Sequence, residues 1–193
     1  MKAQDRTPAR KRAGTAAFEL KPRPAILAAG AEGIVEGYAS LFGAVDQAGD
    51  RVAPGAFAAS LKRRGAAGVR MLYQHLAVEP VGVWTLIRED ARGLFVRGRI
   101  VPEVARAREV LSLLRAGAID GLSIGYRTVA ARKGPGETVR TLTEIDLWEV
   151  SIVTFPMLEG ARVTGVKARA PEERWTQRIP MGKDGTKWTA VWK

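Results

Sequence analysis

The sequence predicts an α+β domain, with an antiparallel β-barrel or curled sheet at its core and a few flanking helices. Three observations lead there. Apolar stretches of strand length recur through the middle of the chain, separated by turns rich in Gly, Pro and Asp. One of them alternates, with Leu94, Val96 and Ile100 set against Phe95, Arg97 and Arg99. Only two stretches read as helical.

Taken in order, 33–42 reads as a strand, followed by a turn-rich stretch over Asp46-Gln47-Ala48-Gly49-Asp50. A short helix over 56–64 follows Pro54-Gly55. Strands are predicted over 69–73, leading directly into His75, and over 81–87. The alternating segment 94–100 is the fourth strand, apolar on one face. A helix is predicted over 102–116, because Val104, Ala107, Val110, Leu111 and Leu114 recur at helical spacing. Pro102 suits its first turn and Gly117 its stop. Further strands are predicted over 122–129, 139–142 and 147–155.

At 193 residues the chain suits one domain with tails. The expected boundaries are a basic arm over 1–24, a folded domain over 25–166 and a basic extension over 167–193 that carries Trp175, Trp188 and Trp192 as docking residues. The arm holds seven Lys/Arg and two Asp/Glu, and the extension seven and three. The middle holds seventeen and fifteen, so most of the +11 net charge sits in the ends. A nucleic-acid-binding β domain would carry its basic face on the folded part. The near-neutral middle argues against that class and leaves nucleic-acid contact to the tails. The chain has no cysteine, which excludes disulfides, thiolate zinc sites and a cysteine nucleophile. No secretory signal and no membrane-spanning stretch is read.

His75 is the only histidine. Taken alone, it reads as a loop residue or a hydrogen-bonded core histidine. Ser123 lies in Gly121-Leu122-Ser123-Ile124-Gly125, a G-x-S-x-G pattern. The α/β-hydrolase elbow is excluded, because this serine follows a helix and opens a strand, and no histidine follows it. The pattern then reads as a Gly-rich turn into a strand. Glu149 is an acid in the apolar run 146–155, and a regular strand places it on one face with Leu147, Ser151 and Val153. Such a carboxylate needs a partner or a cleft. Asp146, on the opposite face, is the competing acid. Asp46 and Asp50 lack the further ligands of a calcium loop and read as turn residues, so no metal site and no cofactor is expected.

The ordered segments resemble the prohead protease family of tailed bacteriophages, whose members are likened to herpesvirus assemblins. The resemblance runs through Glu36-Gly37-Tyr38-Ala39-Ser40-Leu41-Phe42-Gly43 and Asp50 to Leu61. It continues at Met71-Leu72-Tyr73-Gln74-His75 and is strongest at Gly117 to Tyr126. It closes at Glu149-Val150-Ser151-Ile152-Val153-Thr154-Phe155-Pro156. It covers roughly 33–166. After Pro156 many relatives continue with an Ala-Asn-Pro-like turn, where this chain has Met157-Leu158-Glu159-Gly160.

The resemblance implies a herpesvirus-protease-like fold and a serine endopeptidase with Ser123 as nucleophile, His75 as base and Glu149 as third member. Backbone N–H groups of Ile124 and Gly125, or of the loop after Phe155, are the oxyanion candidates. The implied substrates are scaffold protein, the scaffold-like region of the major capsid protein and the protease itself. The implied setting is the procapsid in the host cytoplasm, and a homodimer is an implied assembly state. The tails are expected to be dispensable for peptide cleavage, and either to serve packaging inside the procapsid or to be trimmed by self-cleavage. The competing class is an inactive capsid-assembly or scaffold-binding protein of the same fold. The co-occurrence of His75, Ser123 and Glu149 argues against it.

Overall fold

The computed structural model describes residues 33–167. Residues 1–24 and the extension beyond Lys167, with its three tryptophans, lie outside the described residues. Ten elements follow one another: β1 Ile34–Leu41, β2 Asp50–Val52, α1 Ala58–Arg64, β3 Arg70–Tyr73, β4 Leu76–Glu89, β5 Gly93–Ile100, α2 Ala105–Arg115, β6 Gly121–Arg132, β7 Arg140–Val153 and β8 Arg162–Lys167. The sheet order is β2-β7-β3-β4-β5-β1-β8-β6, and β6 pairs back onto β7. That last pairing closes seven strands into a barrel, with β2 as an eighth strand beside the start of β7.

The barrel is mixed and not wholly antiparallel as expected. β3 and β2 both run parallel to β7, at opposite ends of the same edge. Closure makes one of these pairs unavoidable, since seven strands cannot alternate direction all the way round a ring. β7 is one continuous strand where the sequence suggested two, because its polar middle still pairs with β6. β8 and β2 carry no strong strand signal, and both are held by partners distant in sequence.

Inside the barrel, Val35, Leu94, Val96, Ile100, Leu122, Ile145, Leu147, Val150 and Ile152 form a single apolar cluster with the helices. The predicted face of β5 holds, with Leu94, Val96 and Ile100 fully buried and Arg97 and Arg99 outside. Close backbone approach explains Gly37, where a Cβ would meet the Arg162 carbonyl oxygen at 2.2 Å across β1–β8.

α2 buries Ala107, Val110, Leu111 and Leu114 against β4 and β5. It begins at Ala105 and not at Pro102, since Val104 is extended (φ −85°, ψ 128°) and caps it. Val104 is therefore exposed instead of joining the buried stripe. The helix stops where Gly117 turns left-handed (φ 69°). There Gly117 N–H donates to Leu114 O and Ala118 N–H to Leu113 O, the paired bonds of a Schellman motif. That motif turns the chain straight into β6 and Ser123. Among the described residues no helix is long and apolar enough to cross a membrane.

Candidate active site

His75 sits on a two-residue hairpin turn between β3 and β4, where Tyr73 pairs with Leu76. Both turn residues, Gln74 (φ 53°) and His75 (φ 60°), are left-handed. This is the pattern of a type I′ turn, which normally recruits Asn and Gly. Two side-chain-bearing residues held there cost about 1 kcal/mol each. Hydrogen bonds to β7 and to Thr154 just after it offset that cost. Gln74 N–H donates to Ile152 O (3.0 Å) and Gln74 Nε2 donates to Thr154 Oγ1 (2.7 Å). His75 N–H donates to Ser151 Oγ (3.1 Å).

The His75 ring meets Glu149, with Nδ1 2.5 Å from Oε1. The other carboxylate oxygen, Oε2, accepts from Ser151 Oγ at 2.7 Å. The Glu149 contact raises the His75 pKa above its ordinary value, against the opposing effect of partial burial. The imidazole side chain is 44% exposed and the carboxylate only 12%. One ring nitrogen is thus anchored while the ring remains reachable.

Glu149 does not share a face with Leu147, contrary to the regular-strand expectation. Gly125 pairs with Glu149 and Tyr126 with Leu147, so Trp148 is an extra residue on β7. This β-bulge reverses the strand's phase. Leu147 and Val150 both face the core, while Glu149 and Ser151 turn to the outer face. Helix α1 holds the bulge. Ser60 Oγ accepts from Leu147 N–H (2.9 Å), and Trp148 Nε1 donates to Asp146 Oδ2 (2.9 Å). Asp146 is also bound by Arg63 and, through both its oxygens, by Arg64. These donors hold its carboxyl well below the usual carboxylate range. The competing acid is therefore spent on structure.

Ser123 enters from β6, opposite Ser151 on β7. Opposed residues of an antiparallel pair lie about 5 Å apart at Cα and share a face. Ser151 is thus the common neighbour of Ser123 and the His75 backbone. Two residues on, Gly125 opposes Glu149, and a Cβ there would lie 2.0 Å from Glu149 Oε1. The carboxylate therefore leans over the missing side chain of Gly125 and draws the imidazole across β7 towards β6. Among the described residues, neither His75 Nε2 nor Ser123 Oγ makes a hydrogen bond. Ser123 is 5% exposed and Ser151 fully buried, so of the two hydroxyls only that of Ser123 is uncommitted.

The two donor candidates on β6 face opposite ways. Leu122 N–H donates to Ala161 O, on the side of β6 away from β7. The register is regular from Gly121 to Gly125, so Ile124 N–H points to that same edge. Among the described residues β8 pairs with β6 only at Gly121–Arg162, and no other strand pairs with that edge beyond it. Gly125 N–H faces β7. Asp46 and Asp50 serve the turn as read: Asp46 Oδ1 accepts from Ala48 and Asp50 N–H, and Asp50 pairs with Arg140.

The profile of the caudovirus prohead serine proteases matches residues 19–174. The chain belongs to that family. It is 36% identical over 141 residues to the prohead protease of Enterobacteria phage HK97, covering 72% of this chain and 62% of that one. The chain thus spans about three-fifths of the length of this curated relative. The bacteriophage T4 capsid assembly protease shares the fold, with a TM-score of 0.52 at 14% identity, over 64% of this chain and 82% of that one. The KSHV protease bound to a hexapeptide phosphonate inhibitor aligns at a TM-score of 0.47 and 13% identity, over 68% and 64% of the two chains.

Two features of this arrangement escaped the sequence reading. The buried hydroxyl of Ser151 had only its two-residue spacing from Glu149 as a signal. The Gln74-His75 turn had none, because neither residue is a usual turn former.

Proposed function

We propose that this chain is the prohead maturation endopeptidase of a tailed phage or phage-derived particle, with Ser123 as nucleophile, His75 as general base and Glu149 as its orienting acid. Seryl hydroxyls are weak nucleophiles at neutral pH and need an adjacent base. Glu149 accepts from Nδ1–H, which leaves Nε2 unprotonated and available to take the Ser123 proton. The hydroxyl oxygen then adds to the scissile carbonyl. The imidazolium formed is stabilised by Glu149 and later protonates the departing amine. Ile124 N–H, on the edge of β6 away from β7, is the oxyanion donor in this reading, and Gly125 serves to accommodate Glu149.

The single observation that carries the proposal is the 2.5 Å His75–Glu149 contact, formed above the strand that opposes Ser123. It joins two of the three sequence features, and the β6–β7 register puts Ser123 opposite Ser151, the residue that bonds both of them, which supports the reading. Family membership supports the substrates: scaffold protein or the scaffold-like region of the major capsid protein, with cleavage of the chain itself. Co-expression with the cognate capsid protein tests this. The wild type shortens the capsid protein, and Ser123→Ala and His75→Ala leave it whole. Cleavage by both variants ends the proposal. Mass analysis of active enzyme tests self-trimming, which intact termini would refute.

A further inference from the structure

We propose that Ser151 is a positioning residue of this site, its hydroxyl locking the backbone of His75 and the carboxylate of Glu149 into one closed ring of hydrogen bonds. The inference rests on the function proposed above and adds a fourth participant to it. The ring runs from His75 N–H to Ser151 Oγ (3.1 Å), on to Glu149 Oε2 (2.7 Å), and from Glu149 Oε1 back to His75 Nδ1 (2.5 Å). His75 is therefore gripped at both ends, backbone and ring.

The chemistry of a hydroxyl suits this task. It donates once and accepts with its lone pairs, so it can serve an N–H and a carboxylate together. Alanine can do neither. It would leave Glu149 Oε2 without its donor and the His75 amide without its acceptor, beside a turn whose left-handed residues depend on such clamps. Ser151 does not itself attack substrate, because it is fully buried and its proton is directed to Glu149.

The sole histidine makes the test direct, since its imidazole resonances are unique in the full chain. The comparison is Ser151→Ala with Ser151→Thr, read by NMR titration of His75 and by peptide turnover. Expected for Ser151→Ala is an imidazole pKa falling towards the ordinary ~6.5. Its kcat should fall by about ten- to a hundredfold, the scale of a small misplacement, with KM nearly unchanged. The acidic limb of its pH–rate profile should move with the titration, and Ser151→Thr should restore both. Should the alanine variant not fold, Ser151→Cys, of similar shape but a weak donor, is read in the same way. A wild-type titration and kcat in the variant without the hydroxyl overturn the proposal. Continued cleavage by Ser123→Ala would instead overturn the function, leaving the titration as a result about His75 alone.

Discussion

Gly125→Ala separates catalysis from stability. The new Cβ would lie 2.0 Å from Glu149 Oε1, 2.7 Å from Cδ and 2.8 Å from Cγ. Ordinary contacts are about 3.5 Å, so the carboxylate has to withdraw by roughly 1.5 Å. The His75–Glu149 contact, now 2.5 Å, then stretches past the ~3.2 Å limit of a hydrogen bond. In the proposed mechanism, loss of the orienting acid should remove about two to four powers of ten in kcat, or roughly 3–5 kcal/mol of barrier stabilisation. The displaced atoms are the end of a flexible side chain, and alanine in a strand costs less entropy than glycine. Measured above the raised His75 pKa, where the charged pair no longer contributes, the thermal midpoint should therefore barely move. Gly121→Ala is the control from the same motif. Its Cβ would meet the Val153 carbonyl oxygen at 2.6 Å, and a backbone atom cannot swing aside. That variant should lose about 1–3 kcal/mol of stability, the range of overpacking. Peptide turnover and thermal unfolding of both proteins decide the matter. A Gly125→Ala enzyme with wild-type kcat and an unchanged His75 titration would refute the reasoning.

Four further outcomes follow from the structure. The raised His75 pKa places the acidic limb of activity above ~6.5, because the base must be neutral, and Glu149→Gln should move that limb down while cutting kcat; a pH–rate series checks both. The same pair affects stability with the opposite sign: its contribution is full below ~6.5 and is lost as pH rises through the raised value, seen as a falling thermal midpoint that Glu149→Gln abolishes. Asp146→Asn should lower the midpoint at neutral pH and cost far less kcat than Glu149→Gln, and the difference in midpoint should vanish as pH falls below the usual carboxylate range. Leu114→Ala, at a fully buried α2 position, should cost about 2–5 kcal/mol in denaturant unfolding.

Local chemistry made much of this protein readable. The alternation over 94–100 and the helical spacing of Ala107, Val110, Leu111 and Leu114 each reflect a single face buried along a single element. Such periodicity survives without knowledge of the partner. His75, Ser123 and Glu149 were nameable because each stands out by type: the sole imidazole, a serine between glycines, an acid in an apolar run. Their association rested on resemblance, since nothing in their spacing brings them together. Asp146 competed with Glu149 because both sit in the same run, and the resemblance favoured Glu149.

What tertiary structure decided was phase and closure. The bulge at Trp148 depends on Ser60, Arg63 and Arg64 of α1, more than eighty residues away. No regular period can anticipate a reversal imposed from that distance, yet it turns Glu149 outward and leaves Leu147 inside. The left-handed Gln74-His75 turn exists because β7 clamps it, and the return of β8 beside β1 completes the ring that holds β6 and β7 together. Local sequence set which groups could react. Long-range pairing set which of them met, because register and bulges belong to pairs of strands and not to either strand alone.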